Sequence, residues 1–136
     1  MNAPPPKPVA ALAIAPIEDA DAADVVALWQ RCGLTRPWND PAADIVLARK
    51  EANATVLVGR DGGAIVATDP ERRGKGHGRA IMAAAEDWLR QTGIAKMQLM
   101  VRRENAAAGA FYQSIGYAEA QTIVFARWLD GREPTP

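Results

Sequence analysis

The strongest constraint on how this chain can fold comes from three glycines at alternating positions, Gly74, Gly76 and Gly78. They lie between a strand-like hairpin at residues 55–68 and an amphipathic segment at residues 77–92. Glycine lets the backbone turn tightly and come close to a ligand. The free N–H groups and the dipole at a helix N-terminus favour an anion. Because the cations Arg72, Arg73, Lys75 and Arg79 surround these glycines, the sequence predicts a phosphate-binding turn.

The Gly-x-Gly-x-Gly spacing differs from two widespread phosphate-binding loops. The dinucleotide-binding loop has Gly-x-Gly-x-x-Gly, and the P-loop has Gly-x-x-x-x-Gly-Lys followed by Ser or Thr. No Ser or Thr follows a Gly-Lys pair here, so the magnesium ligand of a P-loop ATPase is missing. A flexible cationic loop is the alternative interpretation. The position between a strand and a helix favours phosphate binding.

Length and composition limit the class of protein. The 136 residues suit a single domain. The 16 basic residues balance the 16 acidic ones, which argues against a nucleic-acid scaffold or a polybasic membrane binder. No apolar stretch approaches the roughly 20 residues of a membrane span. Cys32 is the single cysteine, which excludes an internal disulfide and a Cys-cluster metal site and indicates a reducing cytoplasm.

The order of predicted elements indicates an α/β fold. We expect a disordered proline-rich tail at residues 1–9, one domain at residues 10–130 and a loose C-terminus at residues 131–136. Hairpin signals followed by a strand-helix-strand-helix-strand tail predict a mixed sheet. The predicted strands are residues 10–14, 55–59, 64–68, 96–101 (buried), 117–120 and 122–129. The predicted helices end at Gly33, span 41–52 after an Asp40 cap, span 77–92, and span 106–115 after an Asn105 cap.

The helix that begins after Asn105 carries Tyr112 seven residues further on. A tyrosine hydroxyl can protonate a leaving thiolate there, because the pKa values of thiols and phenols lie within about two units of each other. The alternative is a half-buried tyrosine whose hydroxyl lies at the rim of the core.

Two motifs together carry a family resemblance. Residues 73–78, Arg-Gly-Lys-Gly-His-Gly, are similar to the Gln/Arg-x-x-Gly-x-Gly/Ala pyrophosphate loop of the GNAT superfamily of acyl-CoA-dependent N-acyltransferases. Residues 105–117 are similar to that family's Asn-x-x-Ala/Ser-x-x-x-Tyr-x-x-x-Gly-Phe/Tyr signature. The resemblance covers about residues 10–129 and implies a mixed, mostly antiparallel sheet flanked by helices. The loop at residues 35–41, together with Asn105 and the arginine-rich turn, is similar to the small bacterial YpeA-type branch of the family.

The resemblance implies a transfer of the acetyl group of acetyl-CoA, a co-substrate, to a primary amine of a small molecule or protein, with no metal. Tyr112 would be the general acid. Partners would be acetyl-CoA and an amine acceptor, with neither nucleic acid nor membrane, and a homodimer is left open. The residues implied to bind CoA are Arg73, Gly74, Lys75, Gly76, Gly78, Arg79 and Asn105. Those implied to border the acceptor are Arg36, Trp38 and Asn39.

One departure from the family lies between Thr68 and Asp69. The family has a hairpin partner and a long central strand before the pyrophosphate loop, and that strand usually carries the general base. Two such strands and their turn would need roughly 15 residues that are missing here. Either the sheet lacks one or two central strands and activity is in doubt, or a segment is omitted from the sequence. A break between Thr68 and Asp69 would indicate omission.

Two rival functions follow from this gap. The first is a non-catalytic acyl-CoA or phosphate-binding module with a defective active site, and the second is a phosphate-binding fold unrelated to acyl transfer. No residue is assigned as the general base. His77, the single histidine, lies inside the glycine turn and is expected on the surface, away from the chemistry.

Overall fold

The computed structural model describes residues 12–66, 74 and 76–132, which divide after Gln98 into two compact units. The two units are described separately below. The predicted tail at residues 1–9 and the last four residues lie outside the described part of the chain, so the boundaries of the single domain remain predictions.

The first unit contains a three-stranded antiparallel sheet in the order β1-β2-β3. The strands are β1 (Ala13–Pro16), β2 (Leu57–Asp61) and β3 (Ala64–Ile65). Gly62 and Gly63, with φ angles of 58° and 90°, form the two-residue turn between β2 and β3. Positive φ at both positions is the geometry of a type I′ turn, which matches the twist of the strands it joins. The hairpin predicted from the Asp-Gly-Gly sequence is confirmed.

Three helices of the first unit pack around this sheet. They are α1 (Ala22–Arg31), α2 (Pro41–Lys50) and α3 (His77–Gln91), and a 3₁₀ turn (Asp19–Asp21) leads into α1. Asp40 caps α2 as predicted, since its Oδ1 accepts from the Ala43 N–H at 3.1 Å. None of the helices in the described ranges combines the length and apolar character of a membrane-spanning segment. The buried cluster consists of Ile17, Val25, Ile45 and Val58, with Val26, Trp29, Val56 and Ile65 packed against it.

A partly buried ion pair joins the turn before α1 to the central strand of the sheet. Asp21 is buried, and its carboxylate is paired with the Arg60 guanidinium of β2. The same Oδ2 atom accepts a hydrogen bond from the Glu18 N–H at 2.8 Å. The Arg60 hydrogen bond, and then the Glu18 N–H, hold the pKa of Asp21 below its ordinary value. The charged form of Asp21 is therefore the one that stabilises the fold.

The second unit is built on helix α4 (Ala106–Ser114). Asn105 caps it as predicted, since its Oδ1 accepts from the Ala108 N–H at 3.1 Å. The helix ends at Gly116, where the Tyr117 N–H donates to the Tyr112 carbonyl and the Gly116 N–H donates to the Gln113 carbonyl. This hydrogen-bond pair defines a Schellman motif, which needs the positive φ that Gly116 adopts. None of the described side chains from residue 99 onward is fully buried.

The α/β class with an antiparallel sheet flanked by helices is confirmed, and three of the predicted strands are not. Residues 96–101, 117–120 and 122–129 form no strand ladder with any described residue. Residues 96–101 are also mostly exposed, against the expected burial. A β-prone sequence becomes a strand only where a neighbouring strand offers backbone partners. The Thr68–Asp69 junction, where the sequence predicts a shortage of strand residues, lies outside the described residues.

Replacing Asp21 with Asn should lower the melting temperature at neutral pH. A lowered pKa means that stabilisation is present above the ordinary carboxyl value, near 4, and is lost as the pH falls through the lowered value. The difference between wild type and Asp21→Asn should therefore shrink below about pH 4 in thermal melts.

Asp19→Asn is the matched control, because Asp19 is exposed and pairs with Arg49 at the surface. Exposed pairs of this kind contribute little to stability. The role given to Asp21 would be contradicted if both variants lowered the melting temperature equally. It would also be contradicted if the difference between wild type and Asp21→Asn were the same at pH 3 and pH 7.

Candidate functional site

The turn that begins α3 leaves backbone N–H groups without a capping side chain. Gly76 is the N-cap, and both Gly74 and Gly76 have left-handed φ angles, 81° and 75°. The first hydrogen bond into the helix runs from the Ala80 N–H to the Gly76 carbonyl at 3.0 Å. The N–H groups that precede Ala80 in the first turn have no partner within a helix. An anion bound in front of this turn would accept hydrogen bonds from these N–H groups.

The left-handed backbone of this turn favours glycine, and the glycines leave open space beside the backbone. A Cβ atom built on Gly74 or Gly76 would meet no other atom within 4 Å. Left-handed φ is strained for residues with a side chain, so glycine is favoured here even without crowding. The open space permits a ligand to reach the backbone.

The electrostatics of the turn also favour an anion. The first turn of α3 has no acidic residue, and Arg79 in that turn is exposed. The helix dipole adds partial positive charge at the same end. The predicted cations Arg73 and Lys75 lie outside the described residues, whereas Gly78 is described and half-buried in the first turn.

His77 is buried, which corrects the expectation of a surface residue. It is the first residue of α3 and is 6% exposed. Its Nδ1 atom has no hydrogen-bond partner among the described residues. Position 77 lies four residues before Ile81, on the apolar face of α3, and α3 packs on β2. This spacing could have predicted the burial of His77 from the sequence, because it extends the apolar stripe of the helix back to its first residue.

Two predicted site residues share one face of α4. Asn105 and Tyr112 are seven residues apart, so they lie two turns apart on the same side. Asn105 uses Oδ1 for the helix cap, which leaves its Nδ2 group for a ligand. The Tyr112 ring is half-buried and meets the ring of Tyr117 edge-on, at 5.9 Å between centroids. Among the described residues none hydrogen-bonds the Tyr112 hydroxyl, so packing fixes the ring while the hydroxyl stays open to a partner.

The loop between α1 and α2 is held by its own hydrogen bonds. The Arg36 guanidinium donates to the Gly33 and Thr35 carbonyls at 2.8 and 2.9 Å. The Asn39 N–H donates to the Arg36 carbonyl at 3.1 Å. Arg36 therefore fixes the shape of the loop, while Asn39 is exposed and Trp38 is 47% exposed.

The sequence and the fold were compared with known proteins. Residues 17–117 match the model of the Acetyltransferase (GNAT) family. The chain is 30% identical over 129 residues to acetyltransferase YE1169 of Yersinia enterocolitica, covering 82% of this chain and 92% of the relative. It is 32% identical over 126 residues to acetyltransferase YPTB2753 of Yersinia pseudotuberculosis, covering 80% and 89%.

Solved structures show the same fold. A putative acetyltransferase from Agrobacterium tumefaciens superposes with a TM-score of 0.75 at 20% identity, covering 85% of this chain and 99% of that one. The structure of AAC(6')-Iy in complex with the bisubstrate analog CoA-S-monomethyl-acetylneamine also superposes with a TM-score of 0.75, at 15% identity, covering 88% and 99%.

The sequence match also bears on the gap in this chain. The match to the Yersinia enterocolitica relative is 129 residues long, yet it takes in only 82% of a 136-residue chain. The relative therefore has residues within the matched region for which this chain has no counterpart. This agrees with the shortage of sheet residues inferred from the motifs.

Replacing His77 with Leu should raise the melting temperature by a few degrees. A buried polar atom without a partner costs roughly 1–3 kcal/mol, and leucine removes that atom while filling similar space. His77→Gln keeps a buried polar group and should show no such gain. A melting temperature lowered equally by both variants would mean that the imidazole has a stabilising partner.

Proposed function

The chain belongs to the GNAT family of acetyltransferases, and on that premise we propose that it transfers the acetyl group of acetyl-CoA to a primary amine of a small molecule or protein. The observation that carries this proposal is the left-handed glycine turn before α3, which has no capping side chain and has open space beside Gly74 and Gly76. The absence of acidic residues from the first turn of α3 supports an anionic ligand there.

The diphosphate of acetyl-CoA is the part of the co-substrate that suits this turn. It carries negative charge at the place where the helix dipole and backbone N–H groups favour an anion. Asn105 would donate from Nδ2 to the CoA arm, since its Oδ1 is used by the helix cap. The proposed CoA-binding residues are Arg73, Gly74, Lys75, Gly76, Gly78, Arg79 and Asn105.

The proposed reaction is a direct transfer. The lone pair of the amine attacks the thioester carbonyl carbon, a C–N bond forms and the C–S bond breaks. Tyr112 donates its phenolic proton to the leaving thiolate, while the proton lost by nitrogen passes to water. Water then returns a proton to the Tyr112 phenolate, which restores the acid for the next turnover. Positioning of the two substrates supplies a large part of the rate acceleration.

The loop between α1 and α2 is the proposed border of the acceptor site. Trp38 and Asn39 would contact the acceptor because both are exposed, while Arg36 would position them through its bonds to the loop carbonyls. The related AAC(6')-Iy structure holds an analog that joins CoA to acetylneamine, which supports a small-molecule amine as one class of acceptor. A cytoplasmic location, without nucleic acid or membrane as partner, is also proposed.

Thermal melts and thiol release test the proposal together. CoA and acetyl-CoA should raise the melting temperature, and ATP and NAD should not. Acetyl-CoA with a panel of primary amines should then release CoA thiol only when an amine is present. Stabilisation by CoA without thiol release would identify a non-catalytic binding module. No stabilisation by CoA would reject the glycine turn as its site.

Gly76→Asp should abolish binding of acetyl-CoA by placing a carboxylate against the diphosphate. Gly76→Asn is the matched control, because it has the same size and the same left-handed strain without the charge. Both side chains have room and both are good helix caps, so the two variants should fold alike. Calorimetry should show that Gly76→Asp binds acetyl-CoA much more weakly than Gly76→Asn does. Equal affinities would mean that the diphosphate does not contact this turn.

Tyr112→Phe should lower kcat by on the order of 100-fold, because general acid catalysis contributes about this much or more. The dissociation constant for acetyl-CoA should change little, since only the hydroxyl is removed. Tyr117→Phe, at the other ring of the same edge-on pair, is the control and should keep its turnover. An unchanged rate in Tyr112→Phe would reject the acid role.

A further inference from the structure

Two residues at the end of α4, Gly116 and Tyr117, have no role in the reaction proposed above. The Tyr117 N–H donates to the Tyr112 carbonyl at 3.0 Å, and the Gly116 N–H donates to the Gln113 carbonyl at 3.1 Å. In this Schellman motif Tyr112 is the third residue from the end of the helix, and Tyr117 is the second residue after the C-cap. The side chains at these two positions frequently come into contact in such motifs. The motif therefore connects Tyr117 to Tyr112.

The backbone of the last turn of α4 is fixed by hydrogen bonds. The final carbonyls of a helix lack partners within it, and helix ends fray. In α4 the Phe111 carbonyl accepts from the Ser114 hydroxyl at 2.6 Å. The Tyr112 carbonyl accepts from the Ile115 N–H at 3.2 Å in addition to the Tyr117 N–H. The turn that carries Tyr112 is therefore held in place, although α4 has only nine residues.

Two aromatic rings contact the ring of Tyr112. The Tyr117 ring lies 5.9 Å away between centroids, at an interplanar angle of 71°. The Phe111 ring lies 5.2 Å away, at 64°. Edge-on arrangements at these distances are favourable for aromatic pairs. All three side chains are half-buried, so the Tyr112 ring is packed against both neighbours while part of it reaches solvent.

The contact with Tyr117 fixes where the Tyr112 hydroxyl lies. The hydroxyl oxygen of a tyrosine is on the axis of its ring, so the backbone and the torsion about the Cα–Cβ bond set its position. A helix allows an aromatic side chain two values of that torsion. Changing from one to the other moves the whole ring and gives up the contact with Tyr117. Phe111 belongs to the helix itself, whereas Tyr117 adds a contact from the chain beyond it.

We infer that Tyr117 is a positioning residue for Tyr112 in acetyl transfer. Its ring, placed by the left-handed Gly116 with a φ angle of 101°, holds the Tyr112 phenol where it can donate to the leaving thiolate. A general acid must lie within hydrogen-bond reach of the atom that it protonates, and small displacements lower the rate. This inference rests on the acid role proposed for Tyr112. Tyr117 acts through Tyr112 and needs no contact with either substrate.

Tyr117→Leu tests the inference by steady-state kinetics, because leucine keeps apolar bulk and removes the ring. It should lower kcat by on the order of 10-fold, since a misplaced acid loses part of its contribution. The dissociation constant for acetyl-CoA and the circular dichroism spectrum should not change. Tyr117→Phe retains the ring and should keep the wild-type kcat. Phe125→Leu is the control, because it removes an 89% exposed ring from the same unit and should also leave kcat unchanged.

Two kinetic results would overturn the positioning role. The first is a wild-type kcat in Tyr117→Leu. The second is a kcat in Tyr117→Phe as low as that in Tyr117→Leu, because the hydroxyl and not the ring would then matter.

A double variant separates positioning from general support of the helix. If Tyr117 acts through the Tyr112 hydroxyl, Tyr117→Leu should cause no further loss of kcat in the Tyr112→Phe background, where that hydroxyl is absent. An equal loss in both backgrounds would overturn the inference, because Tyr117 would then support the unit without acting through the acid.

Fluorine NMR measures the positioning without turnover. The chain has two tyrosines, so Tyr117→Phe and Tyr117→Leu each leave Tyr112 as the single site for incorporated fluorotyrosine. The Tyr112 signal in Tyr117→Phe should lie away from that of the free amino acid, and in Tyr117→Leu it should move towards it. The same signal in both variants would overturn the positioning role. Failure of the acid role is a separate result, given by an unchanged rate in Tyr112→Phe.

Discussion

The packing of α1 and α2 against the β1–β2 pair is the interaction on which the rest of the first unit depends. Val25 of α1 and Ile45 of α2 meet Val58 of β2 in one buried cluster. β2 also has α3 packed on it, so this short strand connects the core to the helix whose first turn is the candidate site. The Asp21–Arg60 pair adds a polar link between the same strand and the start of α1. A partly buried pair of this kind costs some desolvation, which the hydrogen bond from Glu18 helps to offset.

The position of the glycine turn follows from that packing. An amphipathic helix buries one stripe, and the stripe of α3 begins at its first residue, His77. Burying His77 fixes the rotation of the first turn, while glycine at positions 74 and 76 keeps the preceding backbone left-handed. The two requirements differ: the buried side chain orients the helix, and the glycines leave open space beside the backbone that precedes it. Both support the anion-binding site proposed for this turn.

The short sheet accounts for the features that distinguish this chain from its family. Relatives have residues in the matched region that this chain lacks, and the described sheet stops at three strands. Residues 122–129 keep the β-prone, apolar sequence of a sheet strand without a partner strand among the described residues.

Local chemistry determined much of this protein from sequence alone. Helix caps at Asp40 and Asn105, the helix end at Gly116 and the Gly62–Gly63 hairpin depend on residues close in the chain, and all were predicted. The roles proposed for the glycine turn and for Tyr112 come from two motifs of fixed spacing. Whether residues 96–101 and 122–129 form strands could not be predicted from the sequence, because a strand requires a partner that is distant in sequence. The burial of His77 and the locking of Arg36 by its own loop were likewise decided by tertiary packing, since solvent exposure depends on which elements meet.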